Sequence, residues 1–257
     1  MNTLELAKKI RIHSLRMANK AGTSHIGSCL SCADILAVLY GDVMRYRPQE
    51  PDWEGRDRFI LSKGHAGSAL YATLAECGFF PVEMLDTHCQ SGSLLLGHVS
   101  HLVPGVEAST GALGHGLPIG CGMAMATKSR VFVLLSDGDL NEGSTWEAVM
   151  FAHQHRLSNL VAIVDYNRVQ CIEKSADILD LGRIAENWRT FGWSVWDVQG
   201  HNHSFLEAAL SRKSDEPTCV IAHTVKGKGV SFMEGCVEWH FKSPSGEELE
   251  KALEELG

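Results

Sequence analysis

The feature that most constrains this chain is a pair of apolar runs, each followed by an oxygen-bearing side chain. VFVLLS (131–136) is followed by Asp137, and LVAIVDY (160–166) is followed by Asn167. Short, continuous apolar runs bounded by polar residues predict buried strands. The two runs therefore predict two strands of a sheet, each ending at a side chain that can bind a cation.

The segment between the two runs predicts a helix. Ser144 and Glu147 form the S-x-x-E pattern of a capping box, so we expect the helix to begin at Ser144 and to end near Leu157. A strand, a helix and a second strand form a right-handed crossover, in which the two strands are parallel. Their carboxyl ends lie at the same edge of the sheet, beside the crevice where such sheets bind ligands.

Neighbouring strands would bring Asp137 and Asn167 to the same crevice. Two oxygen-bearing side chains and a phosphate-bearing ligand are a common way to hold Mg²⁺. The sequence therefore predicts a divalent-metal and diphosphate site. The alternative interpretation is structural, with Asp137 capping a helix and Asn167 stabilising a turn.

The rest of the chain alternates apolar runs with helical patterns, which predicts α/β layering in a single domain over 1–257. A proline-bearing loop is expected at 46–57. The predicted strands are 58–62, 131–136, 160–166, 193–198 and 218–225. The predicted helices are 3–20, 31–45, 64–78, 113–128, 144–157, 203–213 and 246–256.

Composition excludes several classes of function. The net charge of -8 disfavours nucleic acid, and no apolar run is expected to span a membrane. The first 20 residues are typical of an amphipathic helix rather than a signal peptide, so we expect a cytoplasmic protein with its eight cysteines reduced. Cys29 and Cys32 form one CxxC, which favours helix packing over a zinc or redox site.

Ser136-Asp137-Gly138 followed by Asn167 resembles the thiamine diphosphate motif, usually GDG and then N, and the sequence DLNEG (139–143) makes it similar to transketolase. The resemblance implies a thiamine diphosphate-binding α/β fold, a parallel sheet with helices on both faces. Four further segments resemble the family in the same order: AGTSHIGS (21–28), LSKGHAGSALYATL (61–74), LGHVSHLVPGVEASTGALGHGLPIGCGMAMA (96–126) and HTVKGKGVSFMEGCVEWH (223–240).

The resemblance implies roles for individual residues. Thiamine diphosphate and Mg²⁺, or another divalent cation such as Ca²⁺ or Mn²⁺, are the expected cofactors. The metal would be held by Asp137, Asn167 and the backbone carbonyl of Val169. The cofactor would be contacted by Gly111, Ala112 and Leu113 on its aminopyrimidine side, by Gly138 at the diphosphate, and by Asn167, with Lys226 as a nearby cation.

Four histidines match the catalytic histidines of the family: His25, His65, His98 and His240. His65 and His240 are expected to face the diphosphate as well as the reaction centre. Histidine suits this chemistry because its protonation changes near neutral pH. Glu142 and Glu147 match acidic residues at the family's subunit interface. Phe241 departs from the small glycine that is common after the last histidine.

Transketolases of the familiar kind carry three domains, and this chain matches only the diphosphate-binding one. The resemblance therefore implies that the pyrimidine-binding and C-terminal domains lie on a separate C-terminal subunit, in a heterotetramer. That partner would supply the glutamate that protonates the cofactor's aminopyrimidine ring. The expected reaction transfers a two-carbon ketol unit from a ketose, such as a sugar phosphate, to an aldose, and it requires the partner.

Three alternatives stay open at this point. One is membership of another thiamine diphosphate enzyme, of the 2-oxo acid dehydrogenase or deoxyxylulose phosphate synthase type. A second is a cofactor-binding subunit that has lost catalysis, which the presence of all four motif histidines disfavours. The third is a nicotinamide-binding fold, but Gly114, Gly116 and Gly120 do not form G-x-G-x-x-G.

Overall fold

Five parallel strands form one sheet in the computed structural model, which describes residues 2–257. The order across the sheet is β1-β2-β3-β5-β4, and every neighbouring pair is parallel. The strands are β1 (Arg58–Leu61), β2 (Val131–Ser136), β3 (Leu160–Tyr166), β4 (Ser194–Gln199) and β5 (Thr218–His223).

Nine α-helices connect and cover the strands within residues 2–257. A π-helical turn, Leu39–Val43, continues the second of them. The helices are α1 (Thr3–Ala21), α2 (Ile26–Val38), α3 (Gly67–Glu76), α4 (Gly116–Ala126), α5 (Gly143–Gln154), α6 (Ser175–Leu179), α7 (Ile184–Thr190), α8 (His203–Leu210) and α9 (Glu247–Leu256).

Two hydrophobic cores lie on opposite faces of the sheet. Alternate residues of β2 divide between them: Phe132 and Leu134 join helices α1, α2, α3 and α8, whereas Val131 and Val133 join helices α4, α5 and α7. A strand covered on both faces has a continuous apolar sequence, which explains the β2 run. The prediction of a parallel sheet with helices on both faces is confirmed.

The five predicted strands are confirmed to within one or two residues at their ends, but one detail of the central helix is wrong. Helix α5 begins at Gly143, its N-cap residue Glu142 makes no side-chain cap, and no Ser144–Glu147 capping box forms. The Ser144 hydroxyl instead donates to the carbonyl of Gly114, at 2.8 Å. Helices α6 and α7 were not predicted, because their few apolar residues give no clear helical period.

Helix α2 and its π turn form the most apolar segment of the fold. The segment Ile26–Val43 is long and apolar enough to span a membrane by length and composition, contrary to the expectation from the sequence. However, 89% of this window is buried inside the protein, where it packs as a core helix. Cys29 and Cys32 are buried in α2, and all eight cysteines are free thiols, as expected.

Candidate active site

A cavity of about 130 Å³ opens at the carboxyl ends of β2 and β3. These strands pair in parallel with Ser136 opposite Asp165, so Asp137 and Asn167 follow neighbouring strand ends, as predicted. The cavity is lined by Ser28, His65, Leu113, Ser136, Asp137, Gly138, Asn167, Val169, Gln170, Cys171, Lys226 and His240.

Three oxygen donors in this cavity can hold a divalent cation: the Asp137 carboxylate, the Asn167 amide oxygen and the Val169 carbonyl. Burial raises the pKa of Asp137, which means that it disfavours the ionised carboxylate. A cation beside the carboxylate would stabilise the ionised form. Residues 2–257 contain no group of three or more His, Cys, Asp or Glu side chains able to bind a metal. One carboxylate and two neutral oxygens fit Mg²⁺ if a phosphate-bearing ligand supplies further oxygens.

Asp137 and Asn167 also make the local hydrogen bonds that are expected if Asp137 caps a helix and Asn167 stabilises a turn. Asp137 accepts from the amide of Gly138 at 3.0 Å, and Asn167 accepts from the amide of Val169 at 3.1 Å. Ser175, from α6, donates its hydroxyl to the other Asp137 oxygen. These bonds fix the orientation of both side chains, and both residues still line the cavity.

Gly138 lines the cavity without a side chain. A Cβ atom at this position would come within 2.9 Å of Leu113 Cδ1, so a side chain would crowd the cavity wall. Leu113 lines the cavity, but Gly111 and Ala112 do not. Gly111 lies beside His98, since a Cβ added to Gly111 would be 3.2 Å from His98 Cδ2.

The four predicted histidines converge at the rim of the cavity. The His25 ring centroid lies 4.8 Å from that of His240, 5.1 Å from His65 and 5.7 Å from His98. His25 precedes α2 in a left-handed conformation, with φ of 74°. Its amide donates to the His240 carbonyl at 2.7 Å, which joins two segments more than 200 residues apart.

Three of these imidazoles are held in their neutral form. Burial above all, together with nearby charged groups that include Lys226, lowers the pKa of His25 to about 4 and that of His240 to about 3. Burial and then Lys63 lower the pKa of His65 well below its ordinary value. Neutral imidazoles both donate and accept hydrogen bonds, which suits the binding of hydroxyl groups.

A buried ion pair lies beneath the cavity and was not predicted from the sequence. The Lys63 ammonium donates to Asp165, and both side chains are fully buried. Burial alone would raise the pKa of Asp165, but Lys63 holds it below its ordinary value. Asp165 also accepts from Ser31 at 2.6 Å and from Thr224. Asp165 could have been predicted from the sequence, because residues two positions apart in a strand lie on the same face. Asn167 is two positions after Asp165, so the two side chains are expected on the same side of the sheet.

Lys226 reaches the cavity from the loop after β5. Its ammonium lies 2.9 Å from the carbonyl oxygens of Val169 and Gln170 and 3.1 Å from Nδ1 of His240. Burial lowers the pKa of Lys226 to about 8. Val225 anchors this loop, because its amide donates to His201 at 2.8 Å.

Glu142 and Glu147 lie apart from the cavity, and both are exposed. Glu147 lines a separate groove of about 330 Å³ between α4 and α5. Its other lining residues are largely apolar: Pro118, Cys121, Gly122, Ser144, Ala148 and Phe151. The two glutamates are therefore placed on an open face, where a second chain could reach them.

Residues 3–257 match the family model described as the transketolase, thiamine diphosphate binding domain. A protein of Phocaeicola vulgatus named as one of the subunits of apulose-4-phosphate transketolase is 42% identical over 265 residues, which cover 100% of this chain and 94% of that protein. The 6-deoxy-6-sulfo-D-fructose transketolase subunit SqwG of a Clostridium species is 38% identical, over 97% of this chain and 94% of that protein.

Among solved structures, transketolase from Campylobacter jejuni matches with a TM-score of 0.93 and 32% identity. The match covers 100% of this chain but only 43% of the transketolase chain. The chain belongs to the transketolase family and corresponds to its thiamine diphosphate binding domain.

Proposed function

We propose that this chain is the N-terminal subunit of a split transketolase. The observation that supports the proposal is the match to a relative named as a transketolase subunit, which is 42% identical and is covered over 94% of its length. In this proposal a partner chain supplies the pyrimidine-binding and C-terminal domains, and residues 3–257 form the diphosphate-binding domain. We place the complex in the cytoplasm, which the eight free cysteines favour.

The metal would be Mg²⁺, held by Asp137, Asn167 and the carbonyl of Val169. When bound, thiamine diphosphate supplies the electron sink that two-carbon transfer requires. Gly138 allows the diphosphate to approach the backbone, and Leu113 covers one side of the cofactor, with Gly111 and Ala112 beyond it. The positive charges of Lys63 and Lys226 lie close to the cavity and favour an anionic ligand there.

The histidines would act on the sugar. His25, His65, His98 and His240 surround one point at the rim, where they can bind the hydroxyl groups of a ketose and pass protons to and from them. Since three of them are neutral, they can both accept hydrogen bonds from hydroxyl groups and donate hydrogen bonds to them. We assign all four to the donor site, with His65 and His240 also facing the diphosphate.

The donor would be a ketose that carries a phosphate or sulfonate group. One relative is named for apulose-4-phosphate and another for 6-deoxy-6-sulfo-D-fructose. The acceptor would be an aldose. Glu142 and Glu147 would meet a second copy of the complex across the open face of α5, which gives a heterotetramer with two sites.

Reconstitution tests this proposal. The chain is purified alone and together with the separately encoded subunit, and two-carbon transfer from ketose phosphates and sulfonates is measured with Mg²⁺ and thiamine diphosphate. We expect no transfer by the single chain, transfer by the mixture, and a two-plus-two complex by light scattering. Transfer by the single chain, or an inert mixture, would contradict the proposal.

A further inference from the structure

Every hydrogen of the Lys226 ammonium group has an acceptor within the protein. The side chain is almost fully buried, at 1% exposure, and its three acceptors are the carbonyls of Val169 and Gln170 and Nδ1 of His240. An ammonium group has three N–H donors and no acceptor. Lys226 therefore has no hydrogen left for a ligand while these bonds hold. The Val169 carbonyl has two lone pairs, so it can accept from Lys226 and still face a cation.

This arrangement decides which nitrogen of His240 carries the proton. An imidazole nitrogen that faces an ammonium group must accept, so Nδ1 bears no hydrogen. A neutral ring then carries its hydrogen on Nε2. The backbone of His240 is also anchored, because its carbonyl accepts from the amide of His25 at 2.7 Å.

We infer that Lys226 is a positioning residue, which fixes His240 as a hydrogen-bond donor through Nε2 and ties it to the Val169–Gln170 loop. The ligand at Nε2–H would be an oxygen acceptor of the ketose donor, such as its carbonyl or a hydroxyl oxygen. Only this identification of the ligand rests on the proposed function. The positioning itself rests on the contacts of Lys226.

The charged and titratable groups around His240 agree with a neutral ring. Lys226, His25 and Lys63 all lower its pKa, in addition to burial, and the His65 ring lies 5.9 Å away. Phe241 packs against the ring, with its centroid 5.0 Å from that of His240. Residues 2–257 place no carboxylate in hydrogen-bond contact with this ring, so Lys226 is its dominant polar partner.

The test is nitrogen-15 NMR of the histidine rings in the isolated chain at pH 7, with the His240 signals assigned by His240→Gln. Wild-type His240 should show an unprotonated Nδ1, shifted as expected for a hydrogen-bonded acceptor, and a protonated Nε2. In Lys226→Met, which keeps the side-chain length, the Nδ1 signal should move toward that of a free acceptor. Lys228→Met, an exposed control in the same loop, should leave both signals unchanged.

A protonated Nδ1 in the wild type would overturn the inference, and so would an Nδ1 signal that Lys226→Met leaves in place. If Lys226→Met does not fold, as judged by circular dichroism, the test is which ring nitrogen of His240 carries the proton in the wild type. The NMR result is independent of catalysis. A reconstituted enzyme without two-carbon transfer would therefore contradict the proposed function and leave this inference standing.

Discussion

Lys63 and Asp165 form a fully buried ion pair directly beneath the strand-end cavity. Asp165 also accepts from Ser31, and the Asn167 amide nitrogen lies 3.3 Å from the same Ser31 hydroxyl. The pair therefore supports the side chain that is proposed to hold the metal.

Replacing Lys63 with Met should lower the free energy of unfolding by about 3–5 kcal/mol, because Asp165 is left as a buried charge without its cation. The measurement is urea denaturation followed by circular dichroism. The control is Lys9→Met, which breaks a surface pair with Glu76 and should cost about 0–1 kcal/mol. Equal losses of unfolding free energy in the two variants would show that the buried pair stabilises the fold no more than the surface pair does.

Replacing His98 with Ala should leave cofactor binding intact and reduce turnover by about 100-fold or more, as expected for loss of a group that exchanges protons with the substrate. His98 belongs to the histidine group, with its ring 5.7 Å from that of His25, but it does not line the strand-end cavity. The measurements are cofactor titration and steady-state kinetics of the reconstituted enzyme. His101→Ala, an exposed neighbour, is the control. Unchanged turnover in His98→Ala would make His98 a structural residue.

Acid should destabilise the fold through the buried histidines. The ordinary histidine pKa is 6.5, whereas burial lowers that of His25 to about 4 and that of His240 to about 3. Between these values the unfolded chain binds more protons than the folded chain, so the free energy of unfolding falls as the pH drops below about 6.5.

This effect is measured by urea denaturation at pH 7 and pH 5. The double variant His25→Gln, His240→Gln should lose less stability over that interval than the wild type, since neither glutamine titrates. The exposed His101→Gln should behave as the wild type. A double variant with the full wild-type loss would contradict the assignment of neutral, buried rings.

The strands and the metal-ligand candidates were predictable because their signals are local. Continuous apolar runs marked β2 and β3, and the residue after each run marked the cavity edge. Parallel pairing then brought Asp137 and Asn167 together without further information.

The contacts that orient these groups were not predictable, because they join distant segments. Ser144 showed a local capping pattern, yet its hydroxyl bonds the Gly114 carbonyl instead. Lys63 and Asp165 are 102 positions apart, and nothing in either segment identifies the other. Lys226 was predicted as a cation near the cofactor, but the bonds to Val169, Gln170 and His240 emerge only from tertiary structure.

We propose that the cavity between β2 and β3 holds thiamine diphosphate through a divalent cation. Isothermal titration of thiamine diphosphate with Mg²⁺, in the presence of the partner subunit, measures this directly. We predict binding by the wild type that requires Mg²⁺, no measurable binding by Asp137→Ala, and weaker binding by Asn167→Ala, because the cation loses a charged ligand in the first variant and a neutral one in the second. Wild-type affinity in Asp137→Ala, with Mg²⁺ present and the fold intact, would show that Asp137 does not hold the cation.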